Sequence, residues 1–273
     1  MSGTEEVKRL RKKIFITAYK AGAAHLASCF SVIDLLYVLY SKRIIKYDVK
    51  NPWDAGRDRL ILSKGHACLA LYVILNDIGM ITDVELKSFC QPGSHLGGEP
   101  KLGSAPGIEA STGALGHGLS FAVGIAIASK MNKYNNKIYV VLGDGECQEG
   151  SIWEAAMSAV KYKLDNLIVI IDDNRLQAMD SVYEIIGVDS WKEKWEAFGF
   201  DVSEIDGHNL NEIEHTFRKL TDNYKPKLIL SHTIKGHGVS FMEGVTIWHY
   251  RMPYKEELEL IKKELNISTE ELE

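Results

Sequence analysis

The sequence feature that most constrains the fold is the stretch 138–174, in which two apolar runs flank one amphipathic segment. Ile138–Leu142 and Leu167–Ile171 are short and rich in β-branched residues, a pattern typical of buried strands in a parallel sheet. The segment between them repeats apolar residues at helical spacing, which predicts a helix. A right-handed crossover brings both strand ends to the same sheet edge. We therefore expect Asp144 and Asn174 to lie close together, although they are far apart in sequence.

Two glycines bracket the carboxylate that follows the first strand, in the run Gly143-Asp144-Gly145. Glycine allows tight backbone geometry, and the exposed N–H groups of a helix start attract anions. Oxygen ligands from Asp144 and Asn174 suit a magnesium ion, which keeps waters and takes further ligands from phosphates. The sequence thus predicts a magnesium diphosphate site. The alternative interpretation is a strand–turn–helix in which Asp144 only caps the helix.

The run 143–156, GDGECQEGSIWEAA, followed after a spacer by Asn174, resembles the cofactor motif of transketolases, and the similarity spans almost the whole chain. The resemblance implies an α/β fold, a doubly wound and mostly parallel sheet flanked by helices that binds thiamine diphosphate. It covers only the amino-terminal, diphosphate-binding domain of that family. We expect residues 1–273 to form that single domain, with 254–273 as a helical, acidic and exposed tail. The chain is interpreted as the amino-terminal subunit of a split transketolase.

Composition excludes several other classes of protein. Hydrophobic residues make up 45% and charged residues 25% of the chain, an ordinary globular balance. The net charge of −5 argues against a nucleic-acid-binding surface. The cysteines have no paired spacing, so neither a zinc site nor a disulfide framework is expected, which favours a reducing compartment. Without an apolar run long enough for a signal sequence or a membrane span, we expect a cytoplasmic protein.

Three histidines lie in candidate motifs. His66 follows a short predicted strand and Gly65; it could donate to a phosphate or simply cap the next helix. The run SKGHA resembles the transketolase segment whose histidine contacts the diphosphate. His25 alone is typical of a capping or core histidine, but the resemblance makes it a residue that binds substrate and transfers protons. Trp248-His249 matches a family motif, so His249 is expected to face the substrate.

The resemblance also assigns the cofactor contacts. The run 112–118, TGALGHG, is similar to a family segment whose backbone approaches thiamine diphosphate, and Lys235 lies in a family Lys-Gly-x-Gly motif. The implied cofactor contacts are His66, Gly116, Gly143, Asp144, Gly145, Glu146, Asn174 and Lys235. The metal ion, Mg²⁺ or Ca²⁺ or Mn²⁺ in its place, is assigned to Asp144, Asn174 and the backbone carbonyl of Leu176.

Two acidic residues begin the helix after the glycine turn. Glu149 and Glu154 are, on their own, first-turn acids that complement the helix dipole, each contributing about 0.3–1 kcal/mol. By resemblance they belong to a carboxylate network at an interface between subunits. Glu149 is therefore a catalytic candidate beside His25 and His249.

One loop departs from the family pattern. Transketolases usually have Gly-His-Pro where this chain has Gly98-Glu99-Pro100, so an acceptor-only carboxylate replaces a ring that can donate. His95 is the candidate to compensate, unless the loop is shifted in register. Tyr250 adds bulk and Arg251 keeps a charge after the Trp-His motif. The expected substrate-facing residues are His25, His95, Glu99, His249 and Arg251.

The predicted activity is transfer of a two-carbon ketol group from a ketose phosphate to an aldose phosphate. By resemblance it requires a partner, the carboxy-terminal transketolase subunit with the pyrimidine-binding domain, in an α2β2 heterotetramer. Three alternatives stay open: a transketolase dedicated to an unusual or nucleotide-linked sugar; another thiamine-diphosphate enzyme, such as a deoxyxylulose-phosphate synthase or a 2-oxoacid dehydrogenase component; and a non-catalytic magnesium-diphosphate regulatory module. The last would not need His25, His66 and His249 together.

Overall fold

The computed structural model describes residues 2–23 and 25–273. Met1 and Ala24, which the predicted domain 1–273 includes, lie outside the described residues. Within the described part, a sheet of parallel strands has the order β1-β2-β3-β5-β4. The strands are β1 (Arg59–Leu62), β2 (Ile138–Gly143), β3 (Leu167–Asp173), β4 (Asp201–Asp206) and β5 (Lys227–His232).

Helices connect the strands and cover the sheet. The longer ones are α1 (Gly3–Ala21), α2 (Leu26–Ser41), α3 (Cys68–Asp77), α5 (Gly118–Met131), α6 (Gly150–Lys161), α9 (Leu210–Lys219) and α10 (Glu256–Leu265). The shorter ones are α4 (Asp83–Lys87), α7 (Val182–Ile185) and α8 (Trp191–Ala197). Single 3₁₀ turns cover Gly65–Ala67, Gly145–Gln148 and Thr246–Tyr250. In the described residues no helix is both long and apolar enough to cross a membrane.

The strands bury side chains on both faces of the sheet. In β2, Tyr139 and Val141 enter the core formed with α1, α2 and α3, whereas Ile138, Val140 and Leu142 enter the core formed with α5, α6 and α8. Continuous apolar runs are the pattern expected of a sheet covered on both faces. The predicted doubly wound, parallel α/β sheet is confirmed.

Two features of burial differ from what the sequence suggests. The small-residue sequence 120–129 is typical of a helix buried on all sides, but α5 exposes Phe121 and Met131. Apolar residues lie all around this helix, so the sequence does not show which side faces the core. The expectation of an exposed tail at 254–273 is wrong, since Ile261 and Leu265 of α10 are buried in the core beside α1. The first turn of α10 is acidic, and its apolar residues recur at helical spacing that fits a packed helix.

The carboxyl ends of the strands gather the loops that carry the predicted motifs. The register pairs Gly143 of β2 with Asp172 of β3, and Asp172 with Ser231 of β5. Loops at this edge of a parallel sheet are the usual place for ligands.

Gly65, at the exit of β1, is needed because the backbone of another loop passes against it. A Cβ at this position would lie 2.7 Å from the nitrogen of Gly113 and 2.8 Å from the carbonyl carbon of Thr112. Two backbones at such a distance leave no room for a methyl group. The close approach fixes His66 beside the 112–118 loop.

We predict that Gly65→Ala lowers the free energy of unfolding by about 1–3 kcal/mol, because overpacking forces the two backbones apart. Denaturant titration followed by circular dichroism measures the change. Gly124→Ala in α5 is the matched control, since no atom lies within 4 Å of its added Cβ. It should raise stability by roughly 0.5–1 kcal/mol, the ordinary gain for Ala over Gly in a helix. Equal effects at the two positions would contradict the packing argument.

Candidate active site

Two cavities open at the carboxyl edge of the sheet, and they meet at His66. The inner cavity has a volume of about 160 Å³, and the outer cavity one of about 570 Å³. The inner cavity is lined by Ser28, Lys64, His66, Leu115, Gly143, Asp144, Gly145, Glu146, Asn174, Leu176, Gln177, Ala178, Lys235 and His249. The outer cavity lies beyond His66, between the end of α1, the start of α2 and the loop that carries Glu99.

Asp144 is the acidic side of the inner cavity. Its side chain is buried, and it accepts hydrogen bonds from the backbone N–H groups of Gly145, at 2.8 Å, and Arg175. Burial, and then the neighbouring carboxylates of Asp173 and Asp172, raise the pKa of Asp144 to about 7. Burial and like charges thus outweigh the two N–H donors at this carboxylate.

Asn174 lies beside Asp144, as the strand–helix–strand pattern predicts. Its side-chain Nδ2 donates to Asp172 at 3.2 Å, and its Oδ1 accepts from the backbone N–H of Leu176 at 3.1 Å. Because the amide donates to a carboxylate, its oxygen is fixed toward the loop 174–176. Arg175, between these residues, takes the left-handed conformation with φ of 63°, which turns its N–H toward Asp144.

Asp172 and Lys64, which no sequence motif marks here as a pair, form a buried ion pair beneath Asn174. Asp172 also accepts from Ser31 at 2.7 Å and from Thr233 at 2.5 Å. Burial would raise the pKa of Asp172, but the Lys64 ammonium and the hydroxyl donors outweigh it and hold that pKa below its ordinary value. One residue ends a strand and the other follows a different strand. The sequence does not indicate that two such residues will form a pair.

Glu146 holds three segments around the inner cavity. Its carboxylate accepts from Ser63 after β1, from the backbone N–H of Gly116 at 2.9 Å and from that of Gly143 at 3.1 Å. Burial raises its pKa. The residue lines the cavity as expected, and its carboxylate joins the three segments that carry Ser63, Gly116 and Gly143. Gly116, with φ of 84°, packs against Ser151 and Glu149.

Lys235 is the basic side of the inner cavity. Its buried ammonium contacts the carbonyl oxygens of Leu176, at 3.1 Å, and Gln177, at 3.0 Å, and Nδ1 of His249 at 2.8 Å. Burial and the nearby Lys64 lower the pKa of Lys235 to about 8. The acceptors described around this cation are neutral. The carbonyl of Leu176, expected to complete a metal shell, lies beside this ammonium.

These charges fit a metal ion with a diphosphate. Neither Asp144 nor Lys235 forms an ion pair among the described residues, and both line the same cavity. A divalent cation near Asp144 and Asn174 and phosphate oxygens near Lys235 and His66 would neutralise both. Magnesium takes one or two protein carboxylates together with substrate phosphates, so the donor set present here suits it.

Three histidines from separate segments meet where the cavities join. The ring centroids of His25 and His66 are 5.4 Å apart, those of His25 and His249 5.6 Å, and those of His66 and His249 5.3 Å. Burial comes first in lowering the pKa of each, with charges such as the Lys235 ammonium adding to it, and it brings the pKa of His249 to about 4. All three rings are thus neutral near pH 7. Because Nδ1 of His249 accepts from Lys235, its Nε2 carries the proton.

Glu99 lies at the rim of the outer cavity, which Tyr250 also lines. The Tyr250 ring centroid is 4.7 Å from that of His25. Gly113 makes room for Glu99, since a Cβ at position 113 would overlap the Glu99 carboxylate. Among the described residues that line the outer cavity, none is Lys or Arg.

The structure does not bring every predicted residue to these cavities. His95 is exposed and lines neither of them. Arg251 instead pairs with Glu257 of α10, one guanidinium nitrogen donating to both carboxylate oxygens at 2.8 and 2.9 Å, and it covers the ring of Trp248. Glu149 and Glu154 are exposed at the start of α6, outside both cavities.

Ser28 and Gln177 line the inner cavity although the sequence gives no sign of it. Neither residue lies in one of the motifs that mark the site. Ser28 reaches the cavity from the first turn of α2, and Gln177 from the loop after Asn174. Their positions depend on how those segments pack, which spacing alone does not encode.

Comparison with known proteins agrees with this geometry. Residues 4–272 match the family model for the thiamine diphosphate binding domain of transketolase. The chain is 45% identical to a subunit of apulose-4-phosphate transketolase from Phocaeicola vulgatus, covering 96% of this chain and 93% of the relative. It is 41% identical to the 6-deoxy-6-sulfo-D-fructose transketolase subunit SqwG of a Clostridium species, covering 88% and 87%.

The solved structures give the same result for the fold. Transketolase from Leishmania mexicana superposes with a TM-score of 0.89 at 29% identity, covering 97% of this chain and 42% of that one. The chain therefore spans about two fifths of that solved transketolase.

We predict that Lys235→Met raises the pKa of His249 from about 4 toward its ordinary value. A neighbouring positive charge disfavours the imidazolium, so its removal makes protonation easier, while the burial contribution remains. The ring signal of His249 in an NMR pH titration reports the change. Lys227→Met is the control, because Lys227 is a buried lysine that pairs with Asp201 instead. An unchanged His249 pKa in Lys235→Met would contradict the assignment.

Proposed function

This chain belongs to the transketolase family, and we propose that it is the diphosphate-binding subunit of an enzyme that transfers a two-carbon ketol group from a ketose phosphate to an aldose phosphate. The observation that carries the proposal is the meeting of three neutral histidines beside a cavity with separate acidic and basic sides. A purely regulatory diphosphate site would not need that cluster. We further propose that residues 1–273 act as one domain, in the cytoplasm.

Asp144, Asn174 and the Leu176 carbonyl would hold the magnesium ion, and Lys235 and His66 the diphosphate. Gly116, Gly143 and Gly145 keep side chains away from this space, while Glu146 fixes two of these loops by its backbone contacts. Thiamine diphosphate, when bound, supplies the electron sink that lets the carbon–carbon bond beside a ketone break.

The chain's own chemistry lies in the histidines. His249 presents Nε2–H toward the cavity, a donor suited to an oxygen that gains negative charge. His25 lies where the two cavities meet, and its lowered pKa leaves it neutral and able to accept a proton from a sugar hydroxyl. The partial burial of both rings strengthens both interactions.

We propose that a second subunit with a pyrimidine-binding domain completes the site, in an α2β2 assembly. Several relatives are themselves named as single subunits of a transketolase, which supports a separate partner. The exposed apolar residues Phe121 and Met131 of α5 and the exposed Glu149 and Glu154 at the start of α6 offer surface for such contacts. Glu149 would act through the carboxylate network at this interface.

A second candidate is a transketolase dedicated to an unusual sugar. Glu99 replaces the family histidine at the rim of the outer cavity, and the cations that would bind a phosphate are absent from that cavity's described lining residues. Two relatives are named for apulose 4-phosphate and for 6-deoxy-6-sulfo-D-fructose, which supports specialised substrates in this branch. Under this hypothesis, His95 and Arg251 would face the sugar only after a rearrangement of their loops.

The first prediction from this proposal concerns the cofactor. The chain copurified with its partner should bind thiamine diphosphate in a magnesium-dependent manner, as measured by calorimetry, and the chain alone should bind it poorly and lack activity. Asp144→Asn should weaken binding by at least about 100-fold, more than the usual loss for an outer-shell residue. Asp222→Asn is the control, because its carboxylate pairs with Lys137 at the surface. Substantial transfer by the chain alone would contradict the need for a partner.

The second prediction concerns the donor sugar. If Glu99 retunes the site, the wild-type complex should turn over xylulose 5-phosphate and fructose 6-phosphate poorly, and Glu99→His should gain activity because a ring donor returns. Steady-state kcat/KM for each donor measures this, with Glu99→Gln as the control that removes only the charge. Good turnover by the wild type with both donors would favour the ordinary pentose-phosphate reaction instead.

A further inference from the structure

We propose that His208 is a positioning residue that holds the Lys235 segment by accepting the backbone N–H of Ile234. The role of Lys235 rests on the proposed function, whereas the geometry of His208 does not. His208 follows β4, and its ring Nε2 lies 2.8 Å from the nitrogen of Ile234. Ile234 directly precedes Lys235, so this contact helps to set the backbone position from which the Lys235 side chain extends into the inner cavity.

Asp34 fixes the chemical state of the His208 ring. The carboxylate of this α2 residue lies 3.1 Å from Nδ1 of His208, so Nδ1 carries the proton and donates. Nε2 then keeps its lone pair, which is what the N–H of Ile234 requires. Arg11 of α1 pairs with the same carboxylate, and both residues are buried. A chain of contacts thus runs from Arg11 through Asp34 and His208 to the backbone of Ile234.

The bond to His208 joins Ile234 to the rest of the fold, since the described bond of the Ile234 carbonyl, from the N–H of His237 at 3.1 Å, stays within the same segment. Thr233 N–H donates to the carbonyl of Asp173 at 3.0 Å, and Gly236 N–H to the carbonyl of Ala27 at 3.0 Å. Between them, the side chain of Ile234 is 42% exposed. Packing is therefore incomplete at this residue, and the bond to His208 adds a restraint there.

A second histidine, His237 of the Lys235 segment, stacks on the ring of His208. The centroid of His237 lies 3.7 Å from that of His208, with the rings nearly parallel. Burial, and then His208 and Arg11, lower the pKa of His237, which keeps the ring stacked on His208 neutral near pH 7. Gly238, with φ of 89°, lets the backbone pass against Arg11, whose Cδ would lie 2.9 Å from an added Cβ.

The roles of the two ring nitrogens of His208 can be tested separately with two amide substitutions. A glutamine side chain reaches about as far as Nε2, so His208→Gln keeps an acceptor for Ile234 and loses the contact with Asp34. An asparagine reaches only as far as Nδ1, so His208→Asn keeps a donor to Asp34 and loses the contact with Ile234. Both variants remove the ring and its stacking on His237. A difference between them therefore reports the bond to Ile234.

The first test is amide hydrogen exchange of the chain without cofactor, followed by mass spectrometry. In His208→Asn the peptide that contains Ile234 should exchange roughly three- to tenfold faster than in the wild type, the loss expected for one hydrogen bond. In His208→Gln it should exchange like the wild type. The exposed His215 of α9 serves as control, since its Asn and Gln variants should not differ. Equal exchange in the two His208 variants would overturn the proposal.

The second test is the affinity of the complex with its partner for thiamine diphosphate and magnesium. His208→Asn should weaken it roughly tenfold, the cost of about one hydrogen bond, and His208→Gln should stay near the wild type, while thermal unfolding shows similar stability for both. If the wild type does not bind the cofactor, the proposed function fails, yet the exchange experiment still decides the role of His208. If the wild type binds and both variants bind equally well, the positioning role fails alone.

Discussion

The buried ion pair between Lys64 and Asp172 joins the segments that carry the active site. Asp172 lies at the end of β3, Lys64 follows β1, and the same carboxylate accepts from Ser31 of α2 and Thr233 after β5. Taking two charges out of water is costly, so a buried pair stabilises a fold only when further hydrogen bonds satisfy it. Here those bonds come from α2 and from the segment after β5, which the sheet alone would not hold together, and Asp172 in turn orients Asn174.

Above this neutralised pair, the inner cavity keeps its remaining charges apart. Asp144 and Lys235 line the same space, and each has a pKa moved toward its neutral form by burial. Folding therefore leaves electrostatic cost at both residues, a cost that a metal diphosphate would relieve on binding. The histidines adjoin this space without sharing its charge, since Lys235 and burial keep them neutral. The site thus separates the groups that hold a cofactor from those that handle protons.

The sequence predicts the sheet and the adjacency of Asp144 and Asn174 because both follow from strand patterns and the hand of the crossover. It does not reveal the pair of Lys64 and Asp172, because which of two consecutive aspartates faces Lys64 depends on the register of β3. Arg251 is expected near the substrate, yet Glu257 binds it, a contact that depends on how α10 packs. His95 does not reach the cavities. It lies in a long irregular loop, and the sequence of such a loop does not indicate where its side chains point. The sequence does not show which side of α5 is exposed, because apolar residues occur on every side of that helix.

The close fit of Glu99 against Gly113 means that two positions in the long connection between α4 and α5 share one space. The space that a methyl group would take at 113 is already filled by the carboxylate at 99, so a side chain at 113 requires Glu99 to move. A side chain at 113 would push Glu99 out of its present place, and a shorter residue at 99 would open volume at the rim. The shape of the cavity entrance is therefore encoded by a pair of residues, and an effort to widen or narrow it must treat them together.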